Sequence, residues 1–307
     1  MTLFSLIVAL LIEQLRPLSV ARFVQTPLKA LARFLEDRFN DGEARHGAVA
    51  WWVAILTICF ASALIHFVLY HLHPALAVLF NIGVLYLTMG FRQVSHFFTD
   101  IQLALQMGEL PRARQLIGEW RGRSHDESSS SEVARLAIEE ALVAAHRNVF
   151  GVIFWFILLP GPSGALLYRL ARFLDDEWSG ARGPDFGEFG RFAQKAFAVL
   201  DWVPVRLSAA AFSIVGDFED GVYCWRAQAN QWTDKASGIL LASGGGALGV
   251  RLGMPIRESG EVVERPEMGI GDDADAHFMQ STIGLVWRTL VLVFLVLALL
   301  SVAKMGW

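Results

Sequence analysis

Residues 46–91 contain no Asp, Glu, Lys or Arg, and this run constrains the fold more than any other part of the sequence. A bilayer crossing needs about 20 mostly apolar helical residues, so the run accommodates two crossings. The turn between them falls at His71-Leu72-His73-Pro74. Of the 307 residues, 54% are hydrophobic and 18% are charged, against about 25% charged residues in soluble domains. The sequence therefore predicts an all-α integral membrane protein whose first partner is the lipid bilayer.

Further apolar segments complete the predicted topology. We predict four spans at about 2–14, 48–70, 75–91 and 281–303, an amphipathic interfacial helix at 16–45, and polar helical parts at 92–147 and 217–280. Positive residues concentrate in 13–45, 92–147, 169–195 and 226–265, whereas the turn at 71–74 has none. By the positive-inside rule, those four stretches face the cytoplasm of a bacterial inner membrane. The net charge of −4 and the lack of a basic patch argue against nucleic acid as a partner.

The segment 149–170 is typical of a hydrophobic hairpin. Its apolar arm, Val149–Leu159, covers about 16 Å at helical rise, which is too short for a crossing. Pro160 and Pro162 then end the helix, because proline has no backbone N–H to donate. We expect the hairpin to enter and leave the membrane on one side and to line a cavity where a ligand binds. The arm 203–215 is expected to be a second short segment that does not cross.

One charge lies inside that second apolar arm. Arg206 has no acidic residue three or four positions away along the helix. A charge at such depth is costly unless it is paired or lines a polar cavity. Asp201, Asp175 and Asp176 are its candidate partners, and a functional and a structural role for Arg206 remain equally open.

Two other patterns are less specific. His96 and Asp100 lie four residues apart on a predicted helix, which suits either an oriented imidazole or an ordinary surface pair. The tract Gly244–Gly249 lacks the Lys-Ser/Thr of a phosphate-binding loop and follows no predicted strand, so its spacing alone is weak evidence.

Short motifs are distributed over most of the chain. They are Gly90-Phe91-Arg92 followed by His96, Gly108-Glu109-Leu110, Gly122-Arg123, Phe154-Trp155, Pro160-Gly161, Tyr168, Leu174-Asp175, Pro204-x-Arg206-Leu207, Gly246-Ala247-Leu248-Gly249-Val250-x-Leu252-Gly253 and Arg265-Pro266. Together they resemble the CobD/CbiB superfamily, the membrane-bound cobinamide-phosphate synthases of cobalamin biosynthesis. The Gly-rich motif is the strongest single match.

This resemblance implies a reaction and a set of site residues. The family joins an amino-alcohol phosphate to a corrin carboxyl group using ATP, which implies Mg²⁺ held by carboxylates. The ligand-binding positions are then Arg92, His96, Arg123, Tyr168, Arg206, Gly246, Gly249 and Gly253. The candidate catalytic acids are Glu140, Asp175 and Asp201, with Glu139 as a neighbour that could substitute.

Several acidic positions of the family are replaced in this sequence. The replacements are Val143, Ala144, Ala145 and Asn148 for one acidic motif, and Phe197-Ala198 for an Asp-Asp pair. Magnesium requires oxygen ligands that these apolar side chains do not supply, so we assign no metal-binding residue. The AmpE branch of the superfamily, linked to β-lactamase regulation, likewise lacks these carboxylates. The chain resembles that branch at Met1-Thr2-Leu3-Phe4 and at Leu200-Asp201-Trp202-Val203-Pro204-Val205-Arg206-Leu207.

The resemblance leaves two function classes. The first is an AmpE-like binding or regulatory protein whose synthase site has degenerated. The alternative is an active cobinamide-phosphate synthase, with ATP and Mg²⁺ and with relocated acids. Under either reading the expected ligand is a corrinoid, a nucleotide or a small molecule derived from the cell wall, and homo-oligomerisation is open.

Overall fold

The structure, a computed structural model, describes residues 2–15, 26–41, 43–179, 188–258 and 260–305. The all-α prediction is confirmed, with one small β region in the C-terminal third. The first part of the predicted interfacial helix (16–25) lies outside the described residues, and so does 180–187, where the sequence Gly-Ala-Arg-Gly-Pro-Asp-Phe-Gly predicts a loop. The rest of that interfacial helix is a helix at 26–39.

The chain divides into two compact units. The first unit comprises Met1–Gly90 and Gly151–Trp202, and the second comprises Phe91–Phe150 and Val203–Trp307. Helices that begin in the first ninety residues are α1 (Thr2–Leu15), α2 (Thr26–Phe39), α3 (Ala44–Leu72) and α4 (Pro74–Thr88). They are followed by α5 (Phe91–Gln106), α6 (Leu110–Arg121), α7 (Ser130–Ala145), a π-helical segment (His146–Phe150), α8 (Gly151–Leu158), α9 (Ser163–Ser179), α10 (Arg191–Val215), α11 (Phe218–Gln228), α12 (Lys235–Leu248) and α13 (Ala276–Met305).

Local signals set several helix ends. His73 precedes α4 and its Nδ1 accepts a hydrogen bond from the Ala75 backbone, while Pro74 occupies a first-turn position where its missing N–H costs nothing. Ser129 and Glu132 form a capping box at the start of α7. Gly122 ends α6 in the left-handed conformation. The start of α4 lies within one residue of the predicted span at 75–91.

Four helices are long and apolar enough to cross a membrane, by length and composition. They are Ala44–Leu72, Ser130–Leu158, Arg191–Val215 and Ala276–Ala303. The first and last coincide with the predicted spans 48–70 and 281–303. The predicted spans 2–14 and 75–91 are α1 and α4, which have 14 and 15 residues and fall among the shorter apolar helices.

The apolar arm 149–159 continues the helix that precedes it. Helix α7, the π-helical segment and α8 join into one helix of 29 residues that ends at Leu158. In the sequence, the charged residues of α7 indicate a solvated segment, but Arg135 and Glu139 are buried. The break at Pro160 and Pro162 is confirmed, because α9 begins only at Ser163.

The arm 203–215 is likewise part of a longer helix. It is the second half of α10, a single helix of 25 residues with Pro204 in its interior. The sequence predicts a break there, since an interior proline loses one backbone hydrogen bond and strains the preceding turn, at a cost of about 3 kcal/mol. Pro204 is buried in the folded chain, so packing compensates for that local cost.

The polar helical part predicted at 217–280 also contains short strands between residues 250 and 273. Strand β1 (Val250–Gly253) pairs with β4 (Glu267–Met268) in antiparallel fashion and with β5 (Asp272–Asp273) in parallel fashion. Strands β2 (Ile256–Glu258) and β3 (Glu261–Val263) form a hairpin with Ile256 opposite Val263. Left-handed glycines, such as Gly253 at φ 70° and Gly269 at φ 81°, allow the turns between these short strands. This region belongs to the second unit.

Candidate functional site

A buried ion pair holds the β region against α7. Arg265 donates from Nη1 to Glu139 Oε2 at 2.7 Å and from Nη2 to Glu139 Oε1 at 3.2 Å. Both side chains are at most 10% exposed. Glu139 also accepts a hydrogen bond from the Gly253 backbone, and Arg265 donates to the carbonyls of Gly253 and Met254. Two-point arginine–carboxylate pairing is among the stronger hydrogen-bonded arrangements, and we call this group the Glu139–Arg265 clamp.

The glycines of the strongest sequence motif have packing roles in the second unit. A Cβ on Gly246 would lie 2.5 Å from the Asp220 carbonyl oxygen, so this glycine allows α11 and α12 to approach each other closely. Gly249 ends α12 in the left-handed conformation. A Cβ on Gly253 would lie 2.0 Å from the Pro266 carbonyl oxygen. These contacts account for the motif by packing, and ligand binding at Gly246, Gly249 and Gly253 stays a prediction.

The second unit contains further salt bridges. They include Arg121–Glu140 at 3.3 Å, Arg123–Glu258 at 2.9 Å, Arg147–Asp234 at 3.0 Å, Arg251–Asp273 at 2.8 Å and Arg257–Glu127 at 3.2 Å. Two predicted site residues, Glu140 and Arg123, therefore have counter-charges within this unit.

Arg135 differs from these arginines. It is 5% exposed and lies one turn before Glu139 on α7. Within the described residues it makes one hydrogen bond, from Nη2 to the Pro255 carbonyl at 3.3 Å, and no salt bridge. Its Nε is buried without a hydrogen-bond partner in the same part of the chain. Its charge interacts with those of Glu139, Arg265 and Asp273, so it belongs to the same polar group as the clamp.

Sequence reasoning missed Arg135. The available signal was its position four residues before Glu139 on a helix, which places both side chains on one face. Arg265 was noted only within the motif Arg265-Pro266, and its pairing with Glu139 requires a contact across 126 positions in sequence.

His125 is a further buried group of the second unit that the sequence did not single out. It is 1% exposed, and its Nε2 lies 3.8 Å from Glu258 Oε1. Neither ring nitrogen makes a hydrogen bond of normal geometry to the described residues, although the Arg257 backbone lies close by. Burial lowers the pKa of the His125 imidazole below its ordinary value of 6.5, the Arg121 cation lowers this pKa further, and the Glu258 carboxylate opposes both effects.

This lowered pKa predicts a stability that depends on pH. Below pH 6.5, His125 becomes protonated in the unfolded chain, whereas in the folded chain it stays neutral to a lower pH. The free energy of unfolding therefore falls as the pH falls. We expect His125→Gln to remove up to about 1.4 kcal/mol per pH unit of this dependence. Thermal unfolding in detergent between pH 5 and pH 8 measures it. The matched control is His277→Gln at an exposed histidine, and equal slopes in the two variants would contradict the prediction.

In the first unit the structure joins two predicted site residues. The Tyr168 hydroxyl donates to Asp201 Oδ1 at 2.8 Å, and both residues are at most 2% exposed. The Tyr168 ring packs 5.5 Å from the Phe197 ring, and the Arg172 guanidinium lies 5.5 Å from the same phenyl ring. Phe197, which stands at a family acidic position, is therefore used for apolar and cation–π packing.

The other predicted residues of this group lie on α5, α9 and α10. Asp175 accepts a hydrogen bond from Ser179, and Asp176 from Arg172 at 2.7 Å. His96 is exposed on α5, and Arg206 is half-buried on α10. Arg92 lies on α5, but its side chain is outside the described residues. The roles proposed for these residues stay predictions.

The candidate acids do not present a ready-made magnesium site. Both carboxylate oxygens of Glu139 receive hydrogen bonds from Arg265, and Glu140 pairs with Arg121. Among the described residues, no group of three or more His, Cys, Asp or Glu side chains could hold a metal ion. The donor set therefore does not fit a metal held by the protein alone, and we derive no step through Mg²⁺ or ATP.

The carboxyl end of α8 and the turn that follows it border a cavity in the first unit. The cavity has a volume of about 430 Å³ and is bordered by Phe156–Gly161 and by residues of α1, α3 and α4. The binding of a ligand in this cavity stays a prediction.

Comparison with known proteins agrees with the resemblance seen in the sequence. The family described as "CobD/Cbib protein" matches residues 6–286. A protein of Stutzerimonas stutzeri named Cobalamin biosynthesis protein CobD is 35% identical over 268 residues, which is 85% of this chain and 86% of the relative. A protein of the same name from Chromobacterium violaceum is 37% identical over 198 residues, or 64% of this chain and 63% of the relative. No solved structure matches. With its four candidate membrane-spanning helices, the chain is a membrane protein that belongs to the CobD/CbiB family.

Proposed function

We propose that this protein acts in cobalamin biosynthesis and that its second unit binds a phosphate-bearing substrate through Arg135. The printed name of the relatives supports the first part, since two of them carry it at 35% and 37% identity. This favours the synthase alternative of the sequence analysis over the AmpE-like regulatory reading. The reaction that the family resemblance implies joins an amino-alcohol phosphate to a corrin carboxyl group.

The burial of Arg135 without a salt bridge among the described residues supports the second part of the proposal, the binding of a phosphate-bearing substrate. A buried guanidinium without a carboxylate partner is unfavourable, because the charge has lost its water without gaining an equivalent contact. A phosphate group offers a planar arginine two oxygens at once and would supply that contact. The arginines of the salt bridges in this unit each have a carboxylate within 4 Å, whereas Arg135, among the described residues, interacts with Glu139 and Asp273 without a salt bridge.

The Glu139–Arg265 clamp holds in place the β region that Arg135 contacts. Its hydrogen bonds tie the Gly253 backbone to α7, and Arg135 donates to the Pro255 carbonyl two residues further along. Arg135 thus contacts the same β region that the clamp holds in place. A binding group on rigid elements loses little entropy when the ligand arrives, which favours affinity.

Arg135→Met tests the proposal. Loss of a charged hydrogen-bond donor should reduce function about 10- to 100-fold, measured as cobalamin-dependent growth of a strain that lacks its own cobinamide-phosphate synthase. The same variant should keep or raise the midpoint of thermal unfolding in detergent, because an uncompensated buried charge has been removed. A residue with only a scaffold role would show lower stability together with lower function.

The control is Arg257→Met, which removes an exposed arginine paired with the exposed Glu127. It should leave both growth and thermal stability nearly unchanged, since exposed ion pairs contribute about 0–1 kcal/mol. Full activity of Arg135→Met would overturn the binding role of Arg135.

One observation favours the AmpE-like alternative, namely the packing of Phe197 between Tyr168 and Arg172 where the family has an acid. If the unaltered chain fails to support growth of the synthase-deficient strain although it is expressed and folded, the regulatory reading is preferred.

We also infer that the protein lies in the bacterial inner membrane with its polar parts on the cytoplasmic side. The support is the concentration of Arg and Lys in the polar segments and their lack in the turn at 71–74. Cysteine labelling with a membrane-impermeant maleimide tests this orientation at introduced positions such as Glu127→Cys and Leu72→Cys.

A further inference from the structure

The cavity at the hairpin turn contains polar atoms without hydrogen-bond partners. Asn81 is 6% exposed and lines the cavity, and its Oδ1 is buried without a partner in the described chain. His66, also in the lining, has a buried Nδ1 in the same condition. A buried polar atom left unpaired costs about 1–3 kcal/mol. The Asn81 amide oxygen accepts hydrogen bonds, and His66 Nδ1 accepts when the imidazole proton is on Nε2, so an occupant that donates hydrogen bonds satisfies both atoms.

The surrounding elements fix these two groups. His66 stacks with Tyr70 at 6.4 Å between ring centroids. Gly161, at φ 62°, lies against the imidazole so closely that a Cβ would be 2.6 Å from its Cγ. The His66 ring is thus confined between Tyr70 and the hairpin turn, and its Nδ1 cannot easily turn away to find another partner.

The electrostatics of the cavity also favour a donor. Residues Phe156–Leu158 are the carboxyl end of α8, where unpaired carbonyl groups carry a partial negative charge. The lining residues include no Asp, Glu, Lys or Arg. A neutral donor or a cation suits this environment, whereas an anion does not.

The position of the cavity indicates a lipid as the occupant. Tyr70 lies near the end of the candidate span α3, beside the turn at 71–74, where aromatic residues of membrane proteins meet the head-group region. The neighbouring surface is apolar and exposed, with Ile157 41%, Leu158 60% and Phe67 60% accessible. Acyl chains can cover such a surface while the terminal ammonium group of the head enters the cavity and the phosphate stays at its rim.

We propose that this cavity binds the ethanolamine head of a phospholipid, whose ammonium group donates hydrogen bonds to Asn81 Oδ1 and His66 Nδ1. The volume of about 430 Å³ is within the usual range of ligand cavities, roughly 300–1,000 Å³, and accommodates such a head group. The site lies wholly in the first unit and is independent of the proposal for Arg135.

The test compares two lipids with the same phosphate and chains, whose ammonium groups differ by three N-methyl groups and hence in donor capacity. Full-length protein is exchanged into micelles with phosphatidylethanolamine or with phosphatidylcholine of the same chains, and bound lipid is counted by native mass spectrometry. Choline has no N–H, so we expect about fivefold preferential retention of phosphatidylethanolamine, as the loss of one or two hydrogen bonds implies. Asn81→Leu should abolish this preference. Equal retention of both lipids by the unaltered protein, as occurs if water alone fills the cavity, would overturn the proposal.

A second pair of variants guards against misfolding of Asn81→Leu. Val78→Phe narrows the cavity from the same helix and keeps Asn81, so retention of phosphatidylethanolamine should fall severalfold. Leu79→Phe adds the same ring at a neighbouring, 64% exposed position outside the lining and should retain the lipid normally. Equal retention in these two variants would likewise contradict the proposal.

Discussion

Replacing Glu139 with Gln is expected to destabilise the protein by about 3–5 kcal/mol, the usual cost of breaking a buried ion pair at one partner. The glutamine amide oxygen can still accept from the Gly253 backbone, but Arg265 would remain buried without its counter-charge. The hydrogen bonds from Arg265 to the carbonyls of Gly253 and Met254 do not neutralise that charge. The free energy of unfolding, from an SDS titration in mixed micelles, measures the loss.

The matched control for this change is Glu127→Gln. Glu127 also pairs with an arginine, Arg257 at 3.2 Å, but both side chains are more than 60% exposed. Water screens that pair, and its loss should cost less than about 1 kcal/mol. If the two variants are equally stable, the Glu139–Arg265 clamp does not hold the β region as described. Arg265→Met combined with Glu139→Leu should be less destabilised than the sum of the two single changes, since the uncompensated charge is absent.

Gly164→Ala is expected to have the second large effect, because it separates the two helices of the hairpin. A Cβ at this position would lie 1.9 Å from the Trp155 carbonyl oxygen, which is far inside any allowed contact. Trp155 cannot easily move away, since its indole Nε1 donates to the Leu200 carbonyl at 3.2 Å. We expect a loss of about 1–3 kcal/mol or more in the free energy of unfolding, as is usual for an overpacked interior. The same SDS titration measures it.

Gly83→Ala is the control in the same unit. Gly83 lies within α4, and a Cβ there would meet nothing within 4 Å. Alanine is the better helix former by about 1 kcal/mol, so this change should be neutral or slightly stabilising. A similar loss of stability in both variants would show that helix propensity, and not the α8–α9 contact, governs the response at Gly164.

Several features of the fold could be predicted because they depend on local sequence. The uncharged run at 46–91 predicts α3 and α4, and Pro160 and Pro162 predict the break between α8 and α9. The start of α7 likewise has a local cause, because the capping bonds of Ser129 and Glu132 form within one helical turn. In each case the physical cause lies within a few residues of its effect.

Other features could not be predicted, because tertiary packing outweighed the local conformational preference of the sequence. Pro204 predicts an interruption, yet α10 passes through it with the proline buried. The short strands between residues 250 and 273 were not predicted, since each is stabilised by a partner strand elsewhere in the chain. Each also has too few residues to show the alternation of apolar and polar side chains that is typical of a strand. Propensity is a weak prior when tertiary contacts decide the outcome.

The candidate site also combines features that depend on local sequence with features that depend on tertiary packing. The sequence by itself determined that this is a membrane protein of the CobD/CbiB family and that Tyr168, Asp201, Glu139 and the Gly-rich motif are candidate site residues, because hydropathy and motif spacing are read along the chain. Only the tertiary structure decided which charges are paired. Glu139 meets Arg265 from 126 positions away, while Arg135 is buried without a salt bridge among the described residues. Coulomb energies and desolvation depend on distances in space, and these emerge only when the helices have packed.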